Sequence, residues 1–247
     1  MAEYNTIRAT TAAGARAGQI DEGLRAHMNK VYGLMSVGTL LTFLVAWAVG
    51  SSPELLSIFR DPMTLKPNVL GWIVMFAPLG MAFFFGAALN RLSAAGAQTF
   101  FYIFAAVMGL SIAWIFAAFT GISIAQVFLV TSIAFAGLSL WGYTTKKDIS
   151  GWGSFLIMGV IGLIVASLIN IFLQSPALYF AVSAIGVLIF AGLTAYDTQN
   201  IKNTYLAHAH HGDSEWLGKA AIMGALQLYL DFINMFMFLL QFLGNRE

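Results

Sequence analysis

The chain has 247 residues, of which 59% are hydrophobic and only 9% are charged, whereas a typical soluble domain carries about 25% charged residues. This composition excludes an ordinary soluble domain and predicts an integral membrane protein. A net charge of +1 provides no basic surface for nucleic acid, and the absence of cysteine excludes disulfides and thiolate metal sites.

Residues 1–30 differ in composition from the rest of the chain. They are rich in Ala, Gly and Thr at first and then become mixed in charge. We predict a cytoplasmic N-terminal tail that is disordered near its start. The stretch DEGLRAHMNKVY, residues 21–32, is predicted to form a helix at the membrane surface.

Residues 31–247 contain apolar stretches that could each cross a hydrocarbon core about 30 Å thick as a helix of roughly 20 residues. Their approximate ranges are 31–50, 69–89, 99–119, 122–143, 151–173, 177–201 and 218–243. The connectors leave no room for a soluble domain, so we predict one all-α bundle of seven transmembrane helices. Small residues on these spans are expected to be packing surfaces, because helices in lipid associate by close backbone approach. They include Gly80, Gly86, Gly109, Gly159, Gly162, Gly186 and Gly192.

Lysine and arginine are distributed unevenly between the two sides of this bundle. Nine lie on the side of the N-terminus, and three lie on the other side, namely Arg60, Lys66 and Arg246. Positive residues favour the cytoplasmic side of a membrane. We therefore predict a cytoplasmic N-terminus, and the odd number of spans places the C-terminus outside.

Two aspartates, Asp197 and Asp231, lie inside the last two apolar stretches. A charge at the centre of a membrane helix costs roughly 2.5–3.5 kcal/mol even on a lenient insertion scale. Consecutive spans are antiparallel and expected to be neighbours, and the depths of the two carboxyls match best if the sixth helix continues past Lys202. Two carboxyls at a site of low dielectric constant cannot both ionise easily, so the pair is predicted to share a proton and titrate as a coupled unit. The pair is thus a candidate pH switch and, when deprotonated, a candidate Ca²⁺ contact.

Polar side chains recur on one face of the last span. This polar stripe consists of Gln227, Asp231, Asn234 and Gln241. At about 100° per residue these positions fall within a sector of roughly 80°, which also contains Phe238. Such a stripe is expected to face the bundle interior rather than lipid. On the sixth span, Ser183, Thr194 and Asp197 share a face by the same arithmetic.

Two structural interpretations compete with the pH switch. Asp197 lies near the end of its span, so its side chain could extend to cytoplasmic water. Asp231 is too deep for that, but it could bond to an Asn or Gln of a neighbouring helix and serve only packing specificity. An ionisable residue inside the membrane nevertheless favours a functional role.

The segments AYDTQNI at 195–201 and LYLDFINMFMFLLQFLG at 228–244 resemble the signature of the Bax inhibitor family, also called transmembrane Bax-inhibitor-motif proteins, in its bacterial branch. The segment YIFAAVMGLSI at 102–112 fits the third span of that family. The resemblance implies a seven-helix fold whose last helix is central and wrapped by the other six. It also implies a pH-sensitive Ca²⁺ leak gated by a hydrogen-bonded aspartate pair, which would be Asp197 and Asp231.

The resemblance further implies a role for Arg91. In characterised relatives, an arginine near the cytoplasmic end of the second span can pair with the sixth-span aspartate when the pathway opens, and Arg91 occupies a similar place. The alternative is that Arg91 only anchors the topology. The sequence departs from some relatives in two respects: residues 69–89 contain no acidic residue, and the sixth loop, over 206–216, is expected to be long.

That sixth loop contains a cluster of titratable side chains. The cluster consists of His208, His210, His211, Asp213 and Glu215. These residue types can bind Zn²⁺ or sense pH. The alternative is a solvated loop, because a short histidine run implies no ligand geometry.

Three other kinds of function compete with a calcium leak for this membrane protein. An intramembrane enzyme is not predicted, because neither Ser111 nor Ser139 sits in a G-x-S-G context and no histidine lies within a span. A proton-coupled transporter would use the aspartates as a relay, although the sequence shows no broken helix or repeat to support a substrate site. The resemblance also allows a modulator of a membrane-anchored protease, which the N-terminal tail would reach. The prediction is a pH-sensitive calcium leak channel of the bacterial inner membrane, with Ca²⁺ as the permeant ion and no cofactor.

Overall fold

The computed structural model describes residues 2–61, 63–209 and 213–246. Its helices in chain order are α1 (Ala2–Gly50), α2 (Pro53–Ser57), α3 (Val69–Arg91), α4 (Ala94–Ile112), α5 (Ile115–Ala118), α6 (Gly121–Thr144), α7 (Trp152–Leu173), α8 (Pro176–His208) and α9 (Ser214–Leu243). Within these residues, seven helical segments are long and apolar enough to cross a membrane, α4 and α5 together forming the third. The predicted all-α, seven-span fold is confirmed.

The helix ends differ from the predicted ones in two places. The backbone of residues 2–30 is helical and continuous with the first span, where the sequence predicts disorder near its start. The sixth loop is short, not long, because α8 continues to His208 and α9 begins at Ser214. The last turns of α8 contain neither Gly nor Pro, so the helix can continue this far. At the start of α9, the Asp213 carboxylate accepts hydrogen bonds from the backbone amides of Glu215 and Trp216.

Helix α9 occupies the centre of the bundle. In its most apolar stretch 67% of the residues are buried, against 11% in α7 and 17% in α3. It packs directly against α1, α4, α6 and α8, with α8 as the most extensive partner. The outer helices α3 and α7 pack mainly on α4 and α8, respectively. Both of them face α9 across a cavity that residues of all three helices line.

The third span is interrupted at Ala113–Trp114, between α4 and α5, although the sequence shows no sign of a broken helix. The backbone amides of Phe116 and Ala117 still bond the carbonyls of Ala113 and Trp114 at 3.2 and 3.1 Å. The interruption therefore leaves these carbonyls satisfied. It also lies near the end of the span, so it creates no substrate site at mid-membrane of the kind that transporters use.

A buried hydroxyl pair connects the central helix to the first span. The Tyr229 hydroxyl lies 2.6 Å from Thr42 Oγ1, and Thr42 Oγ1 is also 2.8 Å from the carbonyl oxygen of Ala105 on α4. Because Thr42 donates to a carbonyl, Tyr229 is the donor to Thr42. The Tyr229 ring packs edge-on against Phe101 and Phe104. These contacts fix α9 against α1 and α4.

Replacing Tyr229 with Phe is expected to lower the free energy of unfolding by about 0.6 kcal/mol, the average for a hydrogen bond within a membrane protein. The ring packing is retained, so the loss is confined to the hydroxyl. Equilibrium unfolding in mixed micelles would measure it in a double-mutant cycle with Thr42→Val. A cycle with zero coupling between the two positions would contradict the assignment.

Candidate functional site

The two predicted aspartates meet inside the bundle, where α8 packs on α9. Asp197 is 9% exposed and Asp231 is 3% exposed. Their side chains lie within hydrogen-bonding reach of each other. Asp197 therefore does not extend to the aqueous phase, and the interpretation of this residue as a boundary side chain is wrong.

The contact constrains the protonation of the pair. A hydrogen bond between two carboxyls needs a proton on one of them, because carboxylates only accept. Within the described residues neither carboxyl has a lysine or arginine partner, and the buried Oδ2 atom of Asp231 has no hydrogen-bond partner. An isolated ion would be very unfavourable in such surroundings. The geometry fits two carboxyls that carry one negative charge or none.

A chain of hydroxyls fixes the α8 segment that carries Asp197. Thr198 Oγ1 donates to the carbonyl of Thr194 at 2.7 Å, and it lies 2.9 Å from Ser139 Oγ on α6. Ser139 therefore donates to Thr198, and the Tyr32 hydroxyl of α1 donates to Ser139. The sequence does not predict these hydrogen bonds, because nothing near Ser139 in the sequence indicates that it bonds to Thr198. The only indication is that Ser139 is a hydroxyl residue on an otherwise apolar span.

A cavity of about 330 Å³ leads toward the pair from the face of the bundle where α9 begins, here called the N-terminal face. It lies between α1, α3, α8 and α9, and Gln227 lines it one turn before Asp231. On α8 its wall includes Asn200 and Thr204, within two turns after Asp197. The pair is thus close to the inner end of an opening on this face.

Three members of the predicted polar stripe, Gln227, Asn234 and Gln241, each line a cavity. The expectation that the stripe faces away from lipid stays a prediction. Gln227, Asn234 and Gln241 are partly buried, whereas Asp231 is buried. The Asn234 amide donates to the carbonyl of Leu230 at 2.8 Å, and Gln241 Oε1 lies 3.4 Å from Ser183 Oγ on α8. Thr194 is fully buried, but its hydroxyl bonds the Phe190 carbonyl rather than a carboxyl of the pair.

The comparison with known proteins agrees with this architecture. The family model described as "Inhibitor of apoptosis-promoting Bax1" matches residues 24–247, which include both aspartates and nearly the whole transmembrane part. The chain belongs to the Bax inhibitor family. The match extends well beyond the two motifs that first indicate it.

Several similar proteins cover most of the chain. An inner membrane protein of Escherichia coli, YbhL, is 44% identical over 225 residues, which are 91% of this chain and 94% of that protein. An uncharacterized protein of Rickettsia prowazekii, RP147, is 42% identical, and an uncharacterized protein of Caulobacter vibrioides is 43% identical. Both of these alignments cover 100% of each chain. The similarity is therefore that of whole proteins.

The arginine whose role the Bax inhibitor family implies does not reach the pair in this structure. Arg91 is the last residue of α3 and is exposed, with no hydrogen-bond or ion-pair partner among the described residues. Its neighbours Leu89 and Asn90 line the cavity on the N-terminal face. This placement suits a topology anchor, and a pairing of Arg91 with Asp197 in another state stays a prediction.

The cluster in the sixth loop forms no metal site in the part of the chain that the structure describes. His210 and His211 lie outside the described residues. The other members have structural contacts: His208 stacks on Trp216 at 4.1 Å, Asp213 caps α9, and Glu215 accepts a hydrogen bond from the Ala94 amide at 2.7 Å. Glu215 also lies 3.7 Å from the Lys219 ammonium. These contacts tie the start of α9 to the start of α4.

Proposed function

We propose that this protein is a pH-sensitive calcium leak channel in which Asp197 and Asp231 share a proton and thereby control passage. The observation that carries the proposal is the contact of two buried carboxyls without a cationic partner among the described residues. Gain or loss of the shared proton changes the charge of this contact, and two adjacent carboxylates would repel each other strongly at low dielectric constant. A change in pH therefore alters the packing of α8 on α9.

The position of the pair supports a role in passage rather than in folding alone. The cavity on the N-terminal face reaches Gln227, one turn before Asp231, and Asn234, about one turn after Asp231, lines a second cavity. Two carboxyls are too few for a resident Ca²⁺, which takes 6–8 oxygens. They suit a transient contact with a passing ion instead, so Ca²⁺ is cargo and not a cofactor.

We place the channel in the bacterial inner membrane with the N-terminus cytoplasmic. The E. coli relative is named an inner membrane protein, and nine of the twelve basic residues lie on the N-terminal side. The cavity that leads to the pair would then open to the cytoplasm. Its cytoplasmic mouth would sense cytoplasmic pH.

Purified protein in proteoliposomes tests the proposal by flux measurements with Ca²⁺, K⁺ and a small neutral solute over a pH series. The expected result is a Ca²⁺ flux that exceeds protein-free vesicles and varies with pH. Proton movement coupled to a solute, with no Ca²⁺ flux, would favour a transporter instead. Absence of any flux, together with a change in protease turnover that depends on residues 1–25, would favour a protease modulator.

A further inference from the structure

The partly buried side of α9 borders three cavities in succession. The first, on the N-terminal face, has about 330 Å³ and contains Gln227; the second has about 500 Å³ and contains Asn234; the third has about 310 Å³ and contains Gln241. From Gln227 to Gln241 the helix rises about 21 Å at 1.5 Å per residue. Together the cavities follow most of the thickness of a hydrocarbon core of about 30 Å.

The second and third cavities are adjacent, because Ser167 and Ile171 of α7 line both of them. Phe238 lies on α9 between Asn234 and Gln241, about one turn from each. It lines the second cavity and is only partly buried. An apolar ring thus interrupts the polar stripe where these two cavities approach each other.

Two residues of α8 hold this ring in place. A Cβ atom on Gly186 would lie 2.6 Å from Cγ of Phe238, so the ring packs directly on the glycine backbone. Phe190 stacks on the same ring with centroids 5.8 Å apart and an interplanar angle of 28°. The Phe236 ring differs from the Phe238 ring in its position. It is fully buried on the other side of α9 and borders none of the three cavities.

We propose that Phe238, held by Gly186 and Phe190, is a second gate that closes the path by excluding water on the C-terminal side of the aspartate pair. The inference rests on the proposed function and extends it. Hydrophobic constrictions stop ions by dewetting, because a hydrated cation cannot shed its water against an apolar ring. The aspartates then control the path by charge, and Phe238 controls it by hydration.

Cysteine labelling tests this gate without any measurement of calcium. The natural chain has no cysteine, so Asn234→Cys introduces a single thiol, and a charged, water-soluble thiol reagent reports whether water reaches it in nanodiscs. With Phe238 present we expect slow labelling. Phe238→Ala in the same background is expected to raise the labelling rate several-fold, and Phe238→Leu should give an intermediate rate.

Two controls accompany this experiment. Phe242→Ala removes a matched ring one turn away, which pairs with Phe180 at 4.8 Å and borders none of the three cavities, so the labelling of Asn234→Cys should not change. Gln241→Cys lies in the third cavity and should label in every background, which shows that the reagent reaches this cavity. An unchanged thermal unfolding temperature shows that each variant is folded. Rapid labelling of Asn234→Cys with Phe238 intact would overturn the gate, as would slow labelling in Phe238→Ala while Gln241→Cys still reacts.

The same variants separate the gate from the proposed calcium leak. If Ca²⁺ flux is absent but Phe238→Ala exposes Asn234→Cys, the calcium proposal fails and the hydrophobic gate stands. If wild-type Ca²⁺ flux follows pH but Phe238→Ala leaves both flux and labelling unchanged, the leak stands and the gate fails. When both are correct, Phe238→Ala raises the flux and keeps its pH dependence, since the aspartate pair is intact.

Discussion

Replacing both Asp197 and Asp231 with Asn is expected to abolish the pH dependence of Ca²⁺ flux. Asn has the shape of a protonated aspartate and does not titrate, so the double variant should hold the flux of the wild type at its acid limit at every pH. A gate governed by one proton changes its open-to-closed ratio by up to about tenfold per pH unit, which corresponds to 1.36 kcal/mol. The loss of that dependence is therefore a large effect. Flux in proteoliposomes across a pH series measures it.

Asp148→Asn is the matched control for the charge change. Asp148 lies in the loop between α6 and α7, is exposed, and accepts a hydrogen bond from the Ser150 amide at 2.9 Å. This hydrogen bond holds the pKa of Asp148 below its usual value. A carboxyl with a lowered pKa stays ionised as pH falls through neutrality and takes up its proton only in stronger acid. The variant should therefore keep the wild-type flux–pH curve.

Each single variant distinguishes a coupled pair from two independent sites. Asp197→Asn and Asp231→Asn each leave one carboxyl with no carboxyl to repel it, so the flux–pH curve of each variant should shift along the pH axis. Neither variant should simply show half of the wild-type change in flux with pH. A wild-type curve in both single variants would defeat the proposed switch. So would an Asp148→Asn curve that shifts as far as theirs.

The aspartate pair could be predicted because two signals agree on it. Buried charge is unfavourable in lipid, and consecutive spans are antiparallel neighbours, so Asp197 and Asp231 had few other partners. The two carboxyls match best in depth if α8 extends past Lys202, and the absence of helix breakers after Lys202 allows this extension. The polar stripe of α9 was equally accessible to prediction, because helical period alone places Gln227, Asn234 and Gln241 on one side.

The arrangement of the outer helices could not be predicted in the same way. Spans such as α3 and α7 are apolar on every side, so their sequences do not show which face packs and which meets lipid. The glycines illustrate this limit: Gly109 and Gly186 contact neighbouring helices, whereas Gly80 and Gly162 have no described atom near their Cβ positions. A glycine pattern predicts that close approach is allowed, and only the tertiary structure decides where it occurs.

Gly142→Leu is expected to lower the stability of the protein more than any other single substitution named above. Gly142 is buried on α6, and a Cβ atom there would collide with the carbonyl oxygen of Ala195 on α8. Overpacking usually costs about 1–3 kcal/mol, and the cost should reach the upper end or exceed it here, because a backbone carbonyl cannot rotate away. Thermal unfolding of the purified protein measures the loss, and Gly142→Ala should lie between wild type and Gly142→Leu.

Gly137→Leu separates this packing effect from the general effect of a larger residue on α6. Gly137 lies on the same helix but is exposed, with no described atom within 4 Å of its Cβ position, so its variant should unfold at the wild-type temperature. Ala195 is two residues before Asp197. A displacement of α8 therefore also moves the Asp197 carboxyl away from Asp231. Gly142→Ala should therefore shift the flux–pH curve while the protein remains folded. Equal stability of the two Leu variants would mean that α6 and α8 are not in backbone contact, and the placement of Asp197 beside Asp231 would lose its structural basis.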